Sequence, residues 1–188
     1  KGLPSFDIIL RGERFAHVSL RVPGLHNVKN ALAAAAAAAA LGVSGEAVER
    51  GLGQFGGAGR RFEYKGSFRG AEIYDDYAHH PGELKALLDA AHTLGYQRVN
   101  CAFQPHTYTR TKALFDDFVR ELQLPDVTVL AEIYAARAQN VLGISSRDLA
   151  EKIPGAIYCS PLDTVADTLA FVARPGDLIL IVLFLLVS

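Results

Sequence analysis

Apolar and polar positions first alternate with a period of two. Phe6–Leu10 and Ala16–Val22 are β-like, and Arg11-Gly12-Glu13 between them predicts a hairpin. After the break at Pro23-Gly24 the pattern turns helical from Asn27 to Leu41, with eight consecutive alanines, Ala33 to Ala40. Alanine is the strongest helix former, and Gly42 suits the C-terminal stop. Ser44 can cap a second helix over Gly45–Leu52. Five glycines within Gly51–Gly59 then predict a loop or hinge and a domain boundary.

Beyond that boundary strands and helices take turns. Arg61–Lys65 and Ala71–Asp75 flank Gly66–Gly70 as a hairpin. Helices are predicted over Glu83–Leu94, Thr111–Leu122, Ser146–Lys152 and Thr164–Ala173. Strands are predicted over Arg98–Phe103, Val127–Glu132, Ala156–Cys159 and Asp177–Leu186. Such alternation indicates an α/β fold built from βαβ units on a mostly parallel sheet. Ligands of such sheets bind beyond the C-terminal strand ends.

Composition narrows the class. The 188 residues are 50% hydrophobic and 21% charged, with a net charge of −1. That excludes wholesale disorder and argues against a nucleic-acid or membrane-surface binder. The apolar run Leu178–Val187 is about half the roughly 20 residues of a membrane-spanning helix and is β-rich, so it predicts a buried strand. Cys101 and Cys159 lie in apolar runs at no metal spacing, which predicts buried free thiols in a reducing cytoplasm. The chain opens on Lys1 and contains no methionine, which suits a processed piece or a fragment.

Polar residues gather at strand ends and helix starts. His26, Asn27 and Asn30 precede the alanine run, where paired asparagines can read a purine edge or Asn27 can simply cap the helix. Arg60-Arg61 follows the glycine loop and can clamp a phosphate or stand as solvated charge. Asp75-Asp76-Tyr77-Ala78-His79-His80-Pro81 ends a strand before a helix. A carboxylate there can accept from a ribose, and adjacent histidines seldom reach one metal ion, so no metal site is assigned. A polar turn with a helix cap is the plainer alternative. Gln104-Pro105-His106-Thr107-Tyr108-Thr109-Arg110-Thr111 supplies donors at another strand end, and Glu132–Arg137 is a weaker fifth cluster. Three strands ending in polar clusters at one sheet edge build a site.

Taken together, His26-Asn27-x-x-Asn30, Arg60-Arg61-Phe62-Glu63, the Asp75–Pro81 segment and Phe103-Gln104-Pro105-His106-x-Tyr108-x-Arg110-Thr111 resemble the Mur ligases. The His-His-Pro and Phe-Gln-Pro-His forms resemble the branch that adds L-alanine to UDP-N-acetylmuramate in peptidoglycan synthesis. The resemblance implies residues 1–59 as the C-terminal part of a central ATP-binding domain and 60–188 as a C-terminal Rossmann-like domain. It implies ATP and Mg2+ as cofactors, UDP-N-acetylmuramate and L-alanine as substrates, and a cytoplasmic setting. The phosphate loop and most magnesium ligands are then expected upstream, leaving the fragment inactive alone. By the same resemblance Asn27 and Asn30, with His26 alongside, contact adenine, and Arg61 reaches the ATP phosphates. Asp75, or Asp76, holds the ribose. Tyr77, His79 and His80 line the cleft near the γ-phosphate and amino acid, and His106 and Arg110 bind the amino-acid carboxylate or the activated substrate. The sequence departs from the family after Leu178, where a glycine-containing turn is replaced by an apolar run without glycine. The alternatives are a non-catalytic α/β ligand-binding module and another amide ligase of the superfamily, such as a polyglutamate ligase.

Overall fold

A computed structural model of the chain describes residues 2–184. It comprises two compact units, Lys1–Ala58 with Asp89–Gly95 and Gly59–Leu88 with Tyr96–Ser188. In the first unit β1 (Ser5–Leu10) and β2 (Glu13–Ser19) pair antiparallel. Arg11 and Gly12 both take left-handed φ (54° and 89°), the turn geometry that matches strand twist in a two-residue hairpin. The hairpin packs Ile8, Ala16 and Val18 with Ala31, Ala35 and Val48.

Helix α1 (Leu25–Ala40) buries only Ala31 and Ala35, one turn apart, so the alanine run supplies helix propensity more than core. Gly42 leaves it at φ 79°. Ser44 accepts from the Ala47 N–H (3.3 Å) and starts α2 (Gly45–Gln54). This helix runs through Gly51 and Gly53, which the glycine-rich pattern assigns to a loop. Val48 and Leu52, four residues apart, pack on the hairpin core and offset the roughly 1 kcal/mol that each glycine costs.

The second unit is a six-stranded sheet with order β3-β4-β8-β5-β6-β7. Its strands are β3 (Glu63–Phe68), β4 (Ala71–Asp75), β5 (Val99–Phe103), β6 (Val127–Ala131), β7 (Ile157–Cys159) and β8 (Leu178–Val182). All neighbours pair parallel except β3, which is antiparallel to β4. The predicted turn over Gly66–Gly70 shrinks to Arg69-Gly70, again with two left-handed residues. Strand β3 continues to Phe68 across a register shift between Tyr64 and Gly66.

Helices α3 (Pro81–His92), α4 (Tyr108–Ala113), α5 (Phe115–Glu121), α6 (Ser146–Ala150) and α7 (Asp163–Val172) join the strands. The single helix predicted over Thr111–Leu122 is two, bent where Leu114 takes φ −115° and ψ 26°. Strand β5 is buried at every position, and β8 beside it at all but Ile181. Packing Phe103 against Phe118, ring centroids 5.5 Å apart, contributes roughly 2–3 kcal/mol per side chain. The run from Leu178 is thus a central strand as far as Val182, while Leu185 and Leu186, also predicted as strand, lie outside the described residues. Among the described residues no helix is long and apolar enough to cross a membrane. Cys101 and Cys159 are buried free thiols, and burial pushes Cys101 up to about 12.

Candidate active site

Because β4, β8, β5 and β6 run parallel, their C-terminal ends share one edge of the sheet. The three polar clusters after β4, β5 and β6 therefore meet there, with β8 set between β4 and β5.

The acids of the first cluster face inward. Asp75 is 1% exposed and accepts from Arg60 Nε (2.9 Å) and a terminal guanidinium nitrogen (3.4 Å). Asp76 accepts from the Phe62 N–H and the Ala78 N–H, both at 2.8 Å. Burial raises the Asp76 pKa against those two bonds. The two carboxylates point to different partners, as adjacent strand residues do. Arg60 also donates to the Leu183 carbonyl and lies over the Tyr77 ring, 4.9 Å from its centroid. Of the arginine pair, Arg60 is thus bound into the edge, and Arg61 is exposed.

The histidines have separate tasks. His79 Nδ1 donates to the Tyr77 carbonyl (3.0 Å) and lies 3.4 Å from Glu83 Oε2. His80 Nδ1 accepts from the Gly82 N–H (3.2 Å) in the first turn of α3. His106 Nδ1 accepts from Arg110 (3.3 Å). Burial first, then the charges of Arg110 and His79, lower the His106 pKa. Its ring is stacked on Tyr134 (5.6 Å) and lies 6.4 Å from His79.

The loops are tied together from below. The Thr107 N–H donates to the Tyr134 carbonyl (2.9 Å), and the Tyr134 N–H to the Pro105 carbonyl (2.8 Å). Gln104 Nε2 donates to the Glu132 carbonyl (3.1 Å), while its Oε1 accepts from the Phe184 N–H (3.1 Å). The Glu132 carboxylate accepts from the Ser145 hydroxyl and the Tyr158 hydroxyl (2.6 Å each), and from the N–H groups of Ile133 (2.7 Å) and Ser146 (3.1 Å). Burial pushes its pKa up, but these bonds outweigh burial and hold it below the usual carboxylate value. Arg60, Phe62, Thr107, Ala136 and Arg137 all take left-handed φ between 47° and 72° in the loops at this edge. Strain in non-glycine residues concentrates at functional sites.

Phe184 is the residue that pattern reading leaves out. Its ring lies 4.4 Å from His106, 5.1 Å from Tyr77, 5.9 Å from Tyr134 and 6.2 Å from His79. In the sequence it sits inside the apolar run predicted as strand over Asp177–Leu186, whereas the strand ends at Val182 and leaves Leu183 and Phe184 beyond it.

His26, Asn27 and Asn30 belong to the first unit. Gly24 takes the N-cap of α1, so the capping alternative for Asn27 does not hold. Its side chain donates to the Pro23 carbonyl instead (2.7 Å). His26 and Asn30 are exposed. Among the described residues no group of three or more His, Cys, Asp or Glu is placed to hold a metal ion.

Comparison with known proteins bears on this arrangement. The family described as "Mur ligase, glutamate ligase domain" matches residues 60–182. The UDP-N-acetylmuramate–L-alanine ligase of Agathobacter rectalis is 47% identical over 184 residues, 96% of this chain and 40% of that protein. The enzyme of the same name from Acetivibrio thermocellus is 44% identical over 183 residues, 95% of this chain and 39% of that protein. The crystal structure of the Thermotoga maritima UDP-N-acetylmuramate–alanine ligase superposes with a TM-score of 0.74 at 27% identity, covering 90% of this chain and 37% of that one. The chain spans about two-fifths of the length of the curated relatives it matches. With the family's C-terminal domain matched across the whole six-stranded sheet, the chain belongs to the Mur ligases.

Proposed function

We propose that this chain is the C-terminal part of an ATP-dependent cytoplasmic ligase that adds L-alanine to UDP-N-acetylmuramate in peptidoglycan precursor synthesis. The observation that carries the reading is the 47% identity, across 96% of the chain, to a relative named for that reaction. In this reading residues 1–59 complete a central ATP-binding domain and 60–188 form the amino-acid-adding domain. ATP phosphorylates the sugar carboxylate, and the amine of L-alanine attacks the acyl phosphate to give an amide, ADP and phosphate. Positioning and cationic stabilisation dominate such chemistry.

The residue roles follow the chemistry of each group. In the first unit Asn27 and Asn30, with His26, would read adenine through amide donors and acceptors. In the second, exposed Arg61 would bind phosphate oxygens. Asp75 would turn from Arg60 to the ribose, whereas Asp76 is held by two backbone N–H groups and suits that role less. Tyr77, His79 and His80 would line the side nearest the γ-phosphate and the amine. Arg110 and His106, donor and polar ring in contact, would take the alanine carboxylate. Most ligands of Mg2+ would come from upstream residues.

The test is a hybrid enzyme in which this chain replaces the matching C-terminal part of the Agathobacter rectalis ligase. The expected result is ADP release that requires both UDP-N-acetylmuramate and L-alanine, with no turnover by the chain alone. Release that ignores L-alanine, or that prefers another amino acid, overturns the assignment.

A further inference from the structure

We infer that Leu183-Phe184 is an intramolecular occupant of the candidate site, an autoinhibitory contact that covers His106 and His79 until it is displaced. Two features carry this. The segment is gripped as a ligand would be, by side chains of the site. Arg60 donates to the Leu183 carbonyl, and Gln104 Oε1 accepts the Phe184 N–H (3.1 Å). Gln104 is itself oriented by its Nε2 bond to the Glu132 carbonyl (3.1 Å), so the acceptor is presented in one orientation. The ring then fills the space among four aromatic or imidazole side chains. It lies nearly parallel to Tyr134 (8°) and 4.4 Å from His106.

The consequence is chemical. Arg60 donates to a carbonyl of the protein where it could meet a ligand oxygen. His106, whose Nδ1 already accepts from Arg110 (3.3 Å), has the Phe184 ring against it. A ligand reaching His106 must displace a ring packed among Tyr77, His79, His106 and Tyr134. The occlusion itself is independent of the proposed function. Only the identity of the excluded ligand, an α-amino acid, rests on it.

Carbethoxylation of individual histidines by diethyl pyrocarbonate, located by peptide mass spectrometry, tests the cover directly in the full chain. Phe184→Ala is expected to speed modification of His106 about tenfold, the equivalent of about 1.4 kcal/mol, and of His79 by less, with His17 and His92 unchanged. An unchanged His106 rate overturns the proposal. If Phe184→Ala speeds every histidine, the variant has unfolded, and Gln104→Ala decides. That change loosens the segment without removing a ring, and it should speed His106, and His79 by less, with His17 and His92 unchanged. An unchanged His106 rate there again overturns the proposal. Adding L-alanine separates the two readings. Protection of His106 in Phe184→Ala but not in the parent chain supports both. Fast His106 without protection upholds the occupant and counts against L-alanine as what it excludes.

Discussion

Both ends of the six-stranded sheet carry buried polar groups, and they differ in what those groups face. At the N-terminal end Asp177, 1% exposed, accepts from Arg98 Nε (3.1 Å) and a terminal nitrogen (2.6 Å), from Asn100 Nδ2 (2.9 Å) and from the Arg174 N–H (2.9 Å). The Arg98 guanidinium, the Asn100 amide and the Arg174 N–H thus share the protein's own carboxylate, and the strand starts of β5 and β8 are clamped together. At the C-terminal end the carboxylates of Asp75, Asp76 and Glu132 are saturated in the same way. The imidazoles and Arg110 are not. They contact one another, aromatic rings and backbone, and the one acid beside them, Glu83 at 3.4 Å from His79, is partly exposed rather than buried. Density of charge is therefore a poor guide to function. A saturated acid fastens the fold, and bases without a buried acid mark the side that can take an anionic ligand.

The largest expected effect breaks the fastened end. Asp177→Ala leaves the Arg98 guanidinium, the Asn100 amide and the Arg174 N–H without their shared acceptor. Removing one member of a buried pair costs about 3 kcal/mol, at the lower end of the usual range because Arg98 keeps some solvent access. Urea unfolding should show that loss, and a change under about 1 kcal/mol would mean the clamp is replaceable by water.

Glu132→Gln comes next. The amide can accept from two donors but sets an NH2 against the rest, so a loss of about 2 kcal/mol is expected at neutral pH. The folded-state pKa of Glu132 is lowered. Its stabilisation is therefore fully present above the unfolded value of about 4.3 and is lost as pH falls through the folded value. The parent chain should lose its advantage over Glu132→Gln below that pH. A difference that stays constant down to pH 3 would remove the ionised carboxylate from the argument.

Local period explains what was legible. Alternating strand and helix patterns mark each βαβ unit, and parallel pairing then brings the clusters after β4, β5 and β6 to one edge. Signals that depend on context fail. Gly51 and Gly53 read as a loop, yet packing of Val48 and Leu52 keeps them helical. Nothing in Thr111–Leu122 announces the bend at Leu114. Adjacent arginines look alike in sequence, but left-handed turns at Arg60 and Phe62 bring one guanidinium to Asp75 and leave the other exposed. Phe184 was illegible for a topological reason. The last described strand is inserted between β4 and β5, so its exit meets residues 78 to 107 positions earlier. Such placement comes from a crossover and not from any local pattern.

The smallest effect on stability, and the sharpest contrast with Asp177, is expected from Arg110→Ala. Arg110 is half-buried and donates to His106 Nδ1 (3.3 Å), with no carboxylate to leave behind. Its removal should change unfolding free energy by no more than about 0.5 kcal/mol. It should nevertheless move a titration. Burial, then Arg110, then His79 hold the His106 pKa below its ordinary value. A neighbouring cation disfavours imidazolium, so taking it away raises the pKa, while the burial contribution keeps it under the ordinary value of about 6.5. Proton NMR of the His106 ring should show an upward shift in Arg110→Ala with His17 unmoved. A downward shift would mean that losing Arg110 buries His106 further, so that the guanidinium chiefly props the loops around the ring. In that case the C-terminal edge would be a fastened end like the other, and the contrast between them would fail.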